Sequence, residues 1–253
     1  MLTQIAKEQA LLKQIRENCN KCTQSGVSII VPTNKSKYIN NIFKNYTRSN
    51  YPYIELIIIL NNNKLNINDY KIKSLGLENV RIFQLDESYT LGECLNFGVE
   101  QSRYNYISKM DDDDYYGANY LIDLMNVFNY TDAQVTGKMS HFVYFEATNT
   151  LSIREQNNEN RYVDFLSGNT ILFKKDIFEK VKFKKLNCGE DVQFSTDCIT
   201  AGIKIYSADK YNYIYMKHRD LIDHTWQVSS EDLIKDYCMN LRATTDLIPL
   251  IIV

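Results

Sequence analysis

Four consecutive carboxylates, Asp111 to Asp114, lie just after an apolar segment that covers residues 104–108. Adjacent like charges repel each other and β-strands avoid aspartate, so the run is predicted to lie in a loop at a strand end, near a neutralising cation. Hard divalent cations such as Mg²⁺ and Mn²⁺ take oxygen ligands and share them with substrate phosphates. The alternative is a solvated acidic turn, and the surrounding sequence has to decide between the two.

The elements that must position this run alternate between strands and helices. Residues 27–31 form a β-branched run that Pro32 ends, and residues 54–60 are almost continuously apolar, as in a strand buried on both faces. Apolar spacing predicts the further elements, which are helices near 39–46, 91–99 and 121–128 and strands at 80–85 and 104–110. This order predicts an α/β fold with a mostly parallel sheet flanked by helices.

Polar loops follow three of these strands at the point where each strand ends. They are Thr33-Asn34-Lys35, Asn61-Asn62-Asn63 and the acidic run itself. Ligands of open parallel sheets bind outside the carboxyl ends of the strands, so we expect the three loops to share one edge of the sheet. This convergence favours a binding site over a solvated acidic turn.

Beyond residue 130 the segments become shorter and richer in Tyr and Phe. Residues 135–145 and 163–173 are strand-like, and residues 203–206 and 211–216 are predicted to be short strands. A helix is predicted over residues 191–201, with Gly202 just past its end. One continuous domain with an appended second half is the simplest organisation.

The composition excludes some classes of protein. Lys and Arg (29) nearly balance Asp and Glu (31), and the formal net charge of -2 argues against a nucleic-acid-binding protein. Six cysteines and a charged, helix-prone start without a secretory signal predict reduced thiols in a cytoplasmic protein. Cys19 and Cys22 have metal-type spacing, but no second Cys or His pair follows at the distance of a zinc site.

No apolar stretch is long enough to cross a membrane, although peripheral membrane contact stays open. The longest uninterrupted apolar run, at residues 247–253, is much shorter than the ~18 residues that a span needs. A chain that ends on such a run is either a piece of a longer protein or packs its tail into a groove.

Several motifs resemble, in matching order, those of the family 2 glycosyltransferases with a GT-A fold. They are the opening strand and turn at 27–34, the segments 91–98 and 107–114 that lead into and contain a DxD motif, the donor-side loop at 167–170, and the ED motif at 189–191. The resemblance covers residues 27–226. It implies a GT-A (Rossmann-like) sheet with a smaller, mixed acceptor-side half. The expected division is a helical lead-in (1–26), a glycosyltransferase domain (27–230) with nucleotide-binding (27–130) and acceptor (131–230) halves, and a C-terminal helix or tail (231–253).

The resemblance implies an inverting enzyme that moves a sugar from a nucleoside diphosphate sugar to a hydroxyl of a bacterial glycan or surface component. A divalent cation, Mn²⁺ or Mg²⁺, would stabilise the charge that develops on the diphosphate leaving group. In the family pattern, Asp111 reaches the ribose and the metal, and Asp113 binds the metal that bridges the phosphates. His218 or His224 is then the candidate for a third protein ligand. Which of the four carboxylates touches the metal stays open.

The resemblance also assigns nucleotide contacts, with one departure from the family pattern. After the second strand the family has an Asp that accepts a hydrogen bond from the base, whereas this chain has Asn61-Asn62-Asn63. An Asn carbonyl can still accept that bond, so uracil, and hence a UDP-linked donor, remains the expectation. The residues expected to bind the nucleotide are Pro32, Thr33, Asn34, Asn61, Asn62, Leu91, Asn96, Asp111 and Asp112.

Inversion by a single displacement needs a base that takes the proton of the acceptor hydroxyl. The resemblance assigns this role to Asp191, with Glu190 beside it in the ED motif. From the residues alone, an Asp at a helix start equally well caps the helix and complements its dipole. Among the other polar residues, His141 is expected to pack in the core, and Trp226 either stacks on a sugar ring or fills core space.

Two other functions compete with sugar transfer. A nucleotidyltransferase can use a related sheet and acidic metal loop, but it would normally show a Gly-rich, basic phosphate loop where this chain has residues 32–35. The other alternative is a non-catalytic module that binds a nucleotide sugar, against which the Asp111, Asp113 and Asp191 set argues. The sugar, the acceptor and the oligomeric state are not specified by the sequence.

Overall fold

A computed structural model describes residues 2–19, 25–219, 228–244 and 248–253. Its helices are α1 (Leu2–Cys19), α2 (Ile39–Arg48), α3 (Ile67–Lys73), α4 (Leu91–Gln101), α5 (Tyr120–Tyr130), α6 (Glu190–Thr200), α7 (Ser230–Tyr237) and α8 (Ile248–Ile251). Its strands are β1 (Val27–Thr33), β2 (Ile54–Leu60), β3 (Val80–Gln84), β4 (Tyr106–Lys109), β5 (Tyr115–Tyr116), β6 (Val135–Gly137), β7 (His141–Phe145), β8 (Thr150–Arg154), β9 (Arg161–Tyr162), β10 (Leu172–Lys174), β11 (Ile205–Ser207), β12 (Tyr213–Lys217) and β13 (Cys238–Ala243).

The larger sheet has the strand order β3-β2-β1-β4-β10-β6-β11-β9. Strands β3, β2, β1 and β4 run parallel, and β10 lies antiparallel to both β4 and β6. Helices α2 and α5 pack on one face of the sheet, and α4 and α6 pack on the other. The predicted α/β fold with a mostly parallel sheet is confirmed.

Strand β2 shows why the first half of the chain is readable from its sequence. Leu56, Ile58 and Leu60 pack in the core under α2 and α5, whereas Ile57 and Ile59 pack in the core under α4 and α6. An apolar residue is therefore needed at almost every position, because both faces of a central parallel strand are buried. The strand predicted at residues 54–60 is confirmed.

The register of the strands brings the polar loops to one edge. Thr33 pairs with Leu60, and the backbone N–H of Asn61 donates to the carbonyl of Thr33 at 2.8 Å. On the other side of β1, Ile30 pairs with Lys109, which only Met110 separates from the acidic run. The expected convergence of the three loops at the carboxyl edge is confirmed.

A second sheet, with the order β13-β8-β7-β12-β5, lies beside this edge. Its strand β5 directly follows the acidic run and pairs antiparallel with β12, which ties the run to the second half. The strand predicted at 135–145 is split between the two sheets, as β6 and β7. The strand predicted at 163–173 is wrong over most of its length, because a 3-10 turn at Gly168–Thr170 precedes the short strand β10.

The lead-in helix α1 packs against α5 through a buried ion pair. Arg16 donates two hydrogen bonds to Asp123, at 2.6 and 2.8 Å, and a third to the backbone carbonyl of Val253. Ile251 and Val253 are buried in a cluster with Leu12 of α1, so the apolar tail packs into a groove. Within the described ranges, no helix is both long and apolar enough to span a membrane.

The remaining sequence expectations concern single residues. His141 is buried and its ring packs edge-on against Tyr213, as expected. Cys19 is a free thiol, whereas Cys22, His224 and Trp226 lie outside the described residues. The metal-type spacing of the two cysteines therefore stays without a structural account.

Candidate active site

A cleft of about 490 Å³ opens at the carboxyl edge of the larger sheet. It is lined by the loops after β1, β2 and β3, by the acidic run, by the turn at 167–169 and by residues 187–191, while Arg154 and Tyr215 reach it from the second sheet. The cleft thus brings together most of the residues that the sequence singled out, namely Pro32, Thr33, Asn34, Asn61, Asn62, Leu91, Asp111, Asp112, Asp113, Glu190 and Asp191.

The acidic run forms a compact group of oxygen ligands. One carboxylate oxygen each from Asp111, Asp113 and Asp114 lies within 4.8 Å of the other two. Burial raises the pKa of Asp113 well above its ordinary value, and the neighbouring charges of Asp114 and Asp112 raise it further. Such crowding of carboxylates is relieved by a cation, and an all-oxygen ligand set suits Mg²⁺ or Mn²⁺. The residues present therefore fit the divalent metal that the family resemblance implies.

Asp114 holds the acidic loop against the second half of the chain. Its buried carboxylate accepts hydrogen bonds from Asn169 Nδ2 at 2.8 Å, Tyr213 Oη at 2.6 Å and the Met216 backbone N–H at 2.9 Å. Burial raises the pKa of Asp114 to about 7, and the hydrogen bonds from Tyr213, Met216 and Asn169 oppose that rise. Sequence reasoning left the role of Asp114 open, because its donors come from distant parts of the chain.

His218 lies next to Asp113 at the end of β12. Its Nε2 is 3.7 Å from Asp113 Oδ2, its Nδ1 is 3.0 Å from Glu146 Oε2, and its ring stacks on Tyr38. A carboxylate on one ring nitrogen commonly orients the other nitrogen toward a metal. The structure therefore places His218 beside the acidic group, and its role as a ligand stays a prediction.

Asp112 is turned toward the first strand. Thr33 Oγ1 donates a short hydrogen bond to Asp112 Oδ2, and Asn41 Nδ2 donates to the Asp112 backbone carbonyl at 2.8 Å. Burial raises the pKa of Asp112 to about 6, although the bond from Thr33 opposes the rise. Asp112 thereby links the acidic run to the loop after β1.

The asparagines after β2 differ in what they leave available for a ligand. Asn61 Nδ2 donates to the backbone carbonyl of Asp86 at 2.9 Å, which fixes the amide so that Oδ1 is its remaining acceptor. Asn62 Nδ2 donates to the carbonyl of Asn34 at 3.0 Å, and Asn62 Oδ1 accepts from the Lys64 backbone N–H at 2.9 Å. Asn61 is thus better placed than Asn62 to meet a base with its side chain.

Asn96 differs from the other predicted nucleotide contacts because it does not line the cleft. Its Nδ2 donates to the carbonyl of Phe183 at 2.9 Å, and its Oδ1 accepts from the Phe183 N–H at 3.0 Å. This two-way pairing fixes the segment around Phe183 on α4. Leu91, at the first position of the same helix, does line the cleft.

Glu190 and Asp191 are the first two residues of helix α6. Glu190 is buried, and burial raises its pKa to about 7, against the opposing charge of Lys109. Asp191 Oδ1 accepts a hydrogen bond from the Val192 N–H at 2.9 Å, as expected of a residue that serves a helix start. Asp191 also lines the cleft, so serving the helix start and facing a substrate are compatible.

Sequence reasoning missed several residues that line the cleft. Glu87 and Tyr89 lie in the loop after β3, and the rule used for the other loops at this edge would have found them. Lys109 precedes the acidic run, and its Nζ is 2.8 Å from Asp111 Oδ1. Burial disfavours its charge, but Asp111 and Glu190 outweigh that effect and hold the pKa of Lys109 above its ordinary value. Arg154 arrives from the second sheet and had no sequence signal.

Comparisons with known proteins agree with this geometry. The family model for "Glycosyl transferase family 2" matches residues 28–182. No curated protein matches the chain. Similar solved structures include S. aureus TarS 1-349 in complex with UDP-GlcNAc, with a TM-score of 0.62 and 18% identity over 83% of this chain and 64% of that chain.

Two further solved structures give the same result. S. aureus TarS 1-349 has a TM-score of 0.58 and 17% identity over 76% of this chain and 60% of its own. S. aureus TarS has a TM-score of 0.59 and 17% identity over 76% of this chain and 36% of its own. At these identities the likeness shows a shared fold, and the chain spans less than two thirds of the length of each of these structures.

Proposed function

The chain belongs to glycosyl transferase family 2, and we propose that it transfers a sugar from a UDP-linked donor to a hydroxyl of a bacterial glycan or surface component, with inversion at the sugar carbon. One observation carries the proposal. A single cleft is lined by Asp111, Asp112 and Asp113 of the acidic run, by the loops after β1 and β2, and by the Glu190–Asp191 pair. Donor binding and proton removal can therefore take place side by side.

The choice of uridine is supported by the fixed amide of Asn61. Because its Nδ2 is engaged with the carbonyl of Asp86, the side chain offers an acceptor, Oδ1, to a ligand. Uracil has an N–H at the ring position where cytosine has an acceptor nitrogen, so an acceptor in the protein favours uracil. Thr33 and Asn34 line the adjoining part of the cleft and are proposed to contact the ribose. The similarity to a fold solved with UDP-GlcNAc agrees with this choice.

The acidic group is proposed to hold Mn²⁺ or Mg²⁺. Asp111 and Asp113 are the proposed ligands, with Asp114 in the same group and His218 next to Asp113. When bound, the cation would neutralise the diphosphate and stabilise the charge that develops on it as the leaving group. Asp114 also keeps the loop in one position through its three hydrogen bonds, and such preorganisation lowers the cost of ordering the site during reaction.

Asp191 is proposed to be the general base. In a single displacement, the acceptor oxygen forms a bond to the sugar carbon while the bond from that carbon to the diphosphate breaks. The electron pair of the broken bond stays on the diphosphate, and the hydroxyl proton passes to Asp191.

The location and partners of the protein follow from the same proposal. The substrates are a nucleotide sugar and a glycan-type acceptor, and no nucleic acid is involved. A cytoplasmic location is supported by the free thiols of Cys19, Cys94, Cys188, Cys198 and Cys238.

A thermal-shift screen of nucleoside diphosphates and nucleotide sugars tests the proposed function. In the presence of Mn²⁺, UDP and at least one UDP-sugar should raise the Tm by about 5 °C or more at a concentration near 100 times Kd. The same ligands in EDTA, and CDP in Mn²⁺, are the controls and should give little or no shift. A larger shift with a nucleotide other than a uridine nucleotide, or no shift at all, would contradict the proposal.

A further inference from the structure

Lys109 occupies an unusual position in the cleft. It is the last residue of β4, its backbone N–H donates to the carbonyl of Ile171 on the neighbouring segment, and its side chain is only 4% exposed. A buried lysine that lines a cleft keeps its ammonium group at a defined place, because the surrounding protein restricts the rotamers of its long side chain.

The charges that act on Lys109 come from the acidic run and from the start of helix α6. Its Nζ is 2.8 Å from Asp111 Oδ1, and Glu190 and Asp191 are further carboxylates whose charges act on it. The ammonium therefore shares one cleft with the group proposed to bind the diphosphate and with the pair proposed to act on the acceptor hydroxyl. The bond from the sugar to the diphosphate has to break between those same two groups.

An anionic diphosphate needs positive charge in this cleft. The described residues that line it include six carboxylates (Glu87, Asp111, Asp112, Asp113, Glu190 and Asp191) and three cationic side chains (Lys35, Lys109 and Arg154). Lys109 is the buried member of the cationic set. Low local polarity strengthens the attraction between a buried ammonium and an anion, so this side chain is well suited to stabilise a negative charge.

Lys109 also has hydrogen-bonding capacity to spare. An ammonium carries three N–H donors. Within the described part of the chain, the structure gives it one side-chain partner, Asp111. A metal that binds Asp111 competes for that carboxylate and leaves Lys109 available for another anionic oxygen.

On the basis of the proposed function, we propose that Lys109 donates a hydrogen bond to the phosphate next to the transferred sugar. It then stabilises the negative charge that this phosphate gains when the bond to the sugar carbon breaks. Lys109 keeps its proton throughout, since the electron pair stays on the phosphate oxygen and the acceptor proton goes to Asp191. The interaction grows as charge develops on the leaving group, so it favours the transition state over the bound donor.

Calorimetric titrations of UDP and of UMP in Mn²⁺ test this role, because UMP lacks the second phosphate. Lys109→Met removes the charge and keeps the apolar length of the side chain. It should weaken UDP binding by about 10-fold to 100-fold, as expected for a charged hydrogen bond, and leave UMP binding almost unchanged. Lys109→Gln, which still can donate to Asp111, should show the same selective loss and covers the case that Lys109→Met does not fold. Lys109→Arg should retain most of the UDP affinity.

Lys175→Met is the matched control, since this lysine binds the carbonyl of Ser102 away from the cleft and should leave UDP binding unchanged. If Lys109→Met and Lys109→Gln weaken the binding of UDP and of UMP equally, Lys109 only offsets the negative charge of the acidic run. That result would overturn the inference. Unchanged UDP affinity in these two variants would also overturn the inference, but it would leave the proposed function intact. If the wild-type protein does not bind UDP in Mn²⁺, the proposed function fails first, and the inference falls with it.

Discussion

Gly168 and Asp191 are packed so closely that a Cβ atom at position 168 would lie 2.2 Å from Asp191 Oδ2 and 2.6 Å from its Cγ. Gly168 begins the 3-10 turn that precedes β10, and Asp191 is the second residue of α6. The Asp191 carboxylate, which is proposed as the base, therefore packs directly against the backbone of Gly168. Any larger residue at position 168 has to move either the turn or the carboxylate.

Gly168→Ala should consequently impair turnover much more than donor binding. A shift of about 1 Å in a catalytic group can cost roughly a factor of 100 in rate, and we expect a loss of at least about 10-fold. UDP affinity in Mn²⁺ should stay within about twofold, because the added Cβ clashes with Asp191 and with none of the proposed nucleotide or metal ligands. Steady-state rates of UDP release and a UDP titration measure the two quantities.

The combined variant Gly168→Ala, Asp191→Asn provides the control for this mechanism. If the glycine acts through Asp191, the double variant should be no slower than Asp191→Asn alone, because the two changes affect the same group. Losses that multiply would show that Gly168 acts on something else.

Asp191→Asn separates catalysis from a role in the helix alone. The amide oxygen can still accept the bond from Val192 N–H, and losing a negative charge in the first turn of a helix costs only about 0.3 to 1 kcal/mol, so stability should change little. Turnover should fall by a factor of ~10² to 10⁴, with donor affinity nearly unchanged.

Asp197→Asn, the same substitution on the same helix, is the matched control, since Asp197 pairs with Lys184 and Gln193 outside the cleft. Nucleotide release at the wild-type rate in Asp191→Asn would remove the base assignment, and slow hydrolysis of the donor can replace an unknown acceptor in this assay.

Asp113 and Asp114 are adjacent, and the structure predicts opposite effects for them. Asp114→Asn places an NH₂ group among three donors, so the free energy of unfolding should fall by about 1 to 3 kcal/mol. Asp113→Asn removes a carboxylate that repels its neighbours, so stability in EDTA should be unchanged or higher. Metal-dependent UDP binding should be lost in Asp113→Asn. Urea unfolding in EDTA and UDP titration in Mn²⁺ measure both properties, and a reversal of the two patterns would be incompatible with the assigned roles.

The buried Glu190 should make stability depend on pH in a specific direction. Burial raises its pKa to about 7 in the folded chain, from an ordinary value of 4.5. The folded state therefore binds more protons than the unfolded state between those values, and the contribution of Glu190 to stability is lost as the pH rises through that window. Glu190→Gln cannot lose a proton and escapes this loss. Its free energy of unfolding, relative to that of the wild type, should therefore be higher at pH 8 than at pH 5 by roughly 1 to 3 kcal/mol. Urea unfolding in EDTA at the two pH values gives the comparison, and an equal difference at both would contradict the shifted pKa.

The parallel half of the fold could be predicted because its elements have strong local patterns. Strand β2 is apolar on both faces, and α4 starts at Thr90 with a capping box formed with Glu93. The second half lacks such patterns, since its strands are two to six residues long and exchange between two sheets. The segment predicted as a strand at 163–173 turns instead at Gly168, where the backbone packs against Asp191 of the distant helix α6.

In the candidate site, too, the residues of the parallel half could be predicted from the sequence and those of the second half could not. Thr33 ends β1, and Asn61 and Asp111 come just after β2 and β4; because these strands end at one edge of the sheet, topology alone brings the three residues together. Arg154 and Tyr215 reach the cleft from strands of the second sheet, so their positions depend on how the two halves pack. The sequence does not specify that packing, which is why these residues were not predicted.

The most direct test of the central proposal is a calorimetric titration of UDP into the wild-type protein with Mn²⁺ and then with EDTA. A metal held by the acidic group would offset the repulsion between the diphosphate and the carboxylates, which carry like charges. We expect saturable binding in Mn²⁺ and a loss of affinity of at least about 100-fold in EDTA. Equal affinity for UDP in Mn²⁺ and in EDTA would contradict a metal-dependent donor site at Asp111 and Asp113.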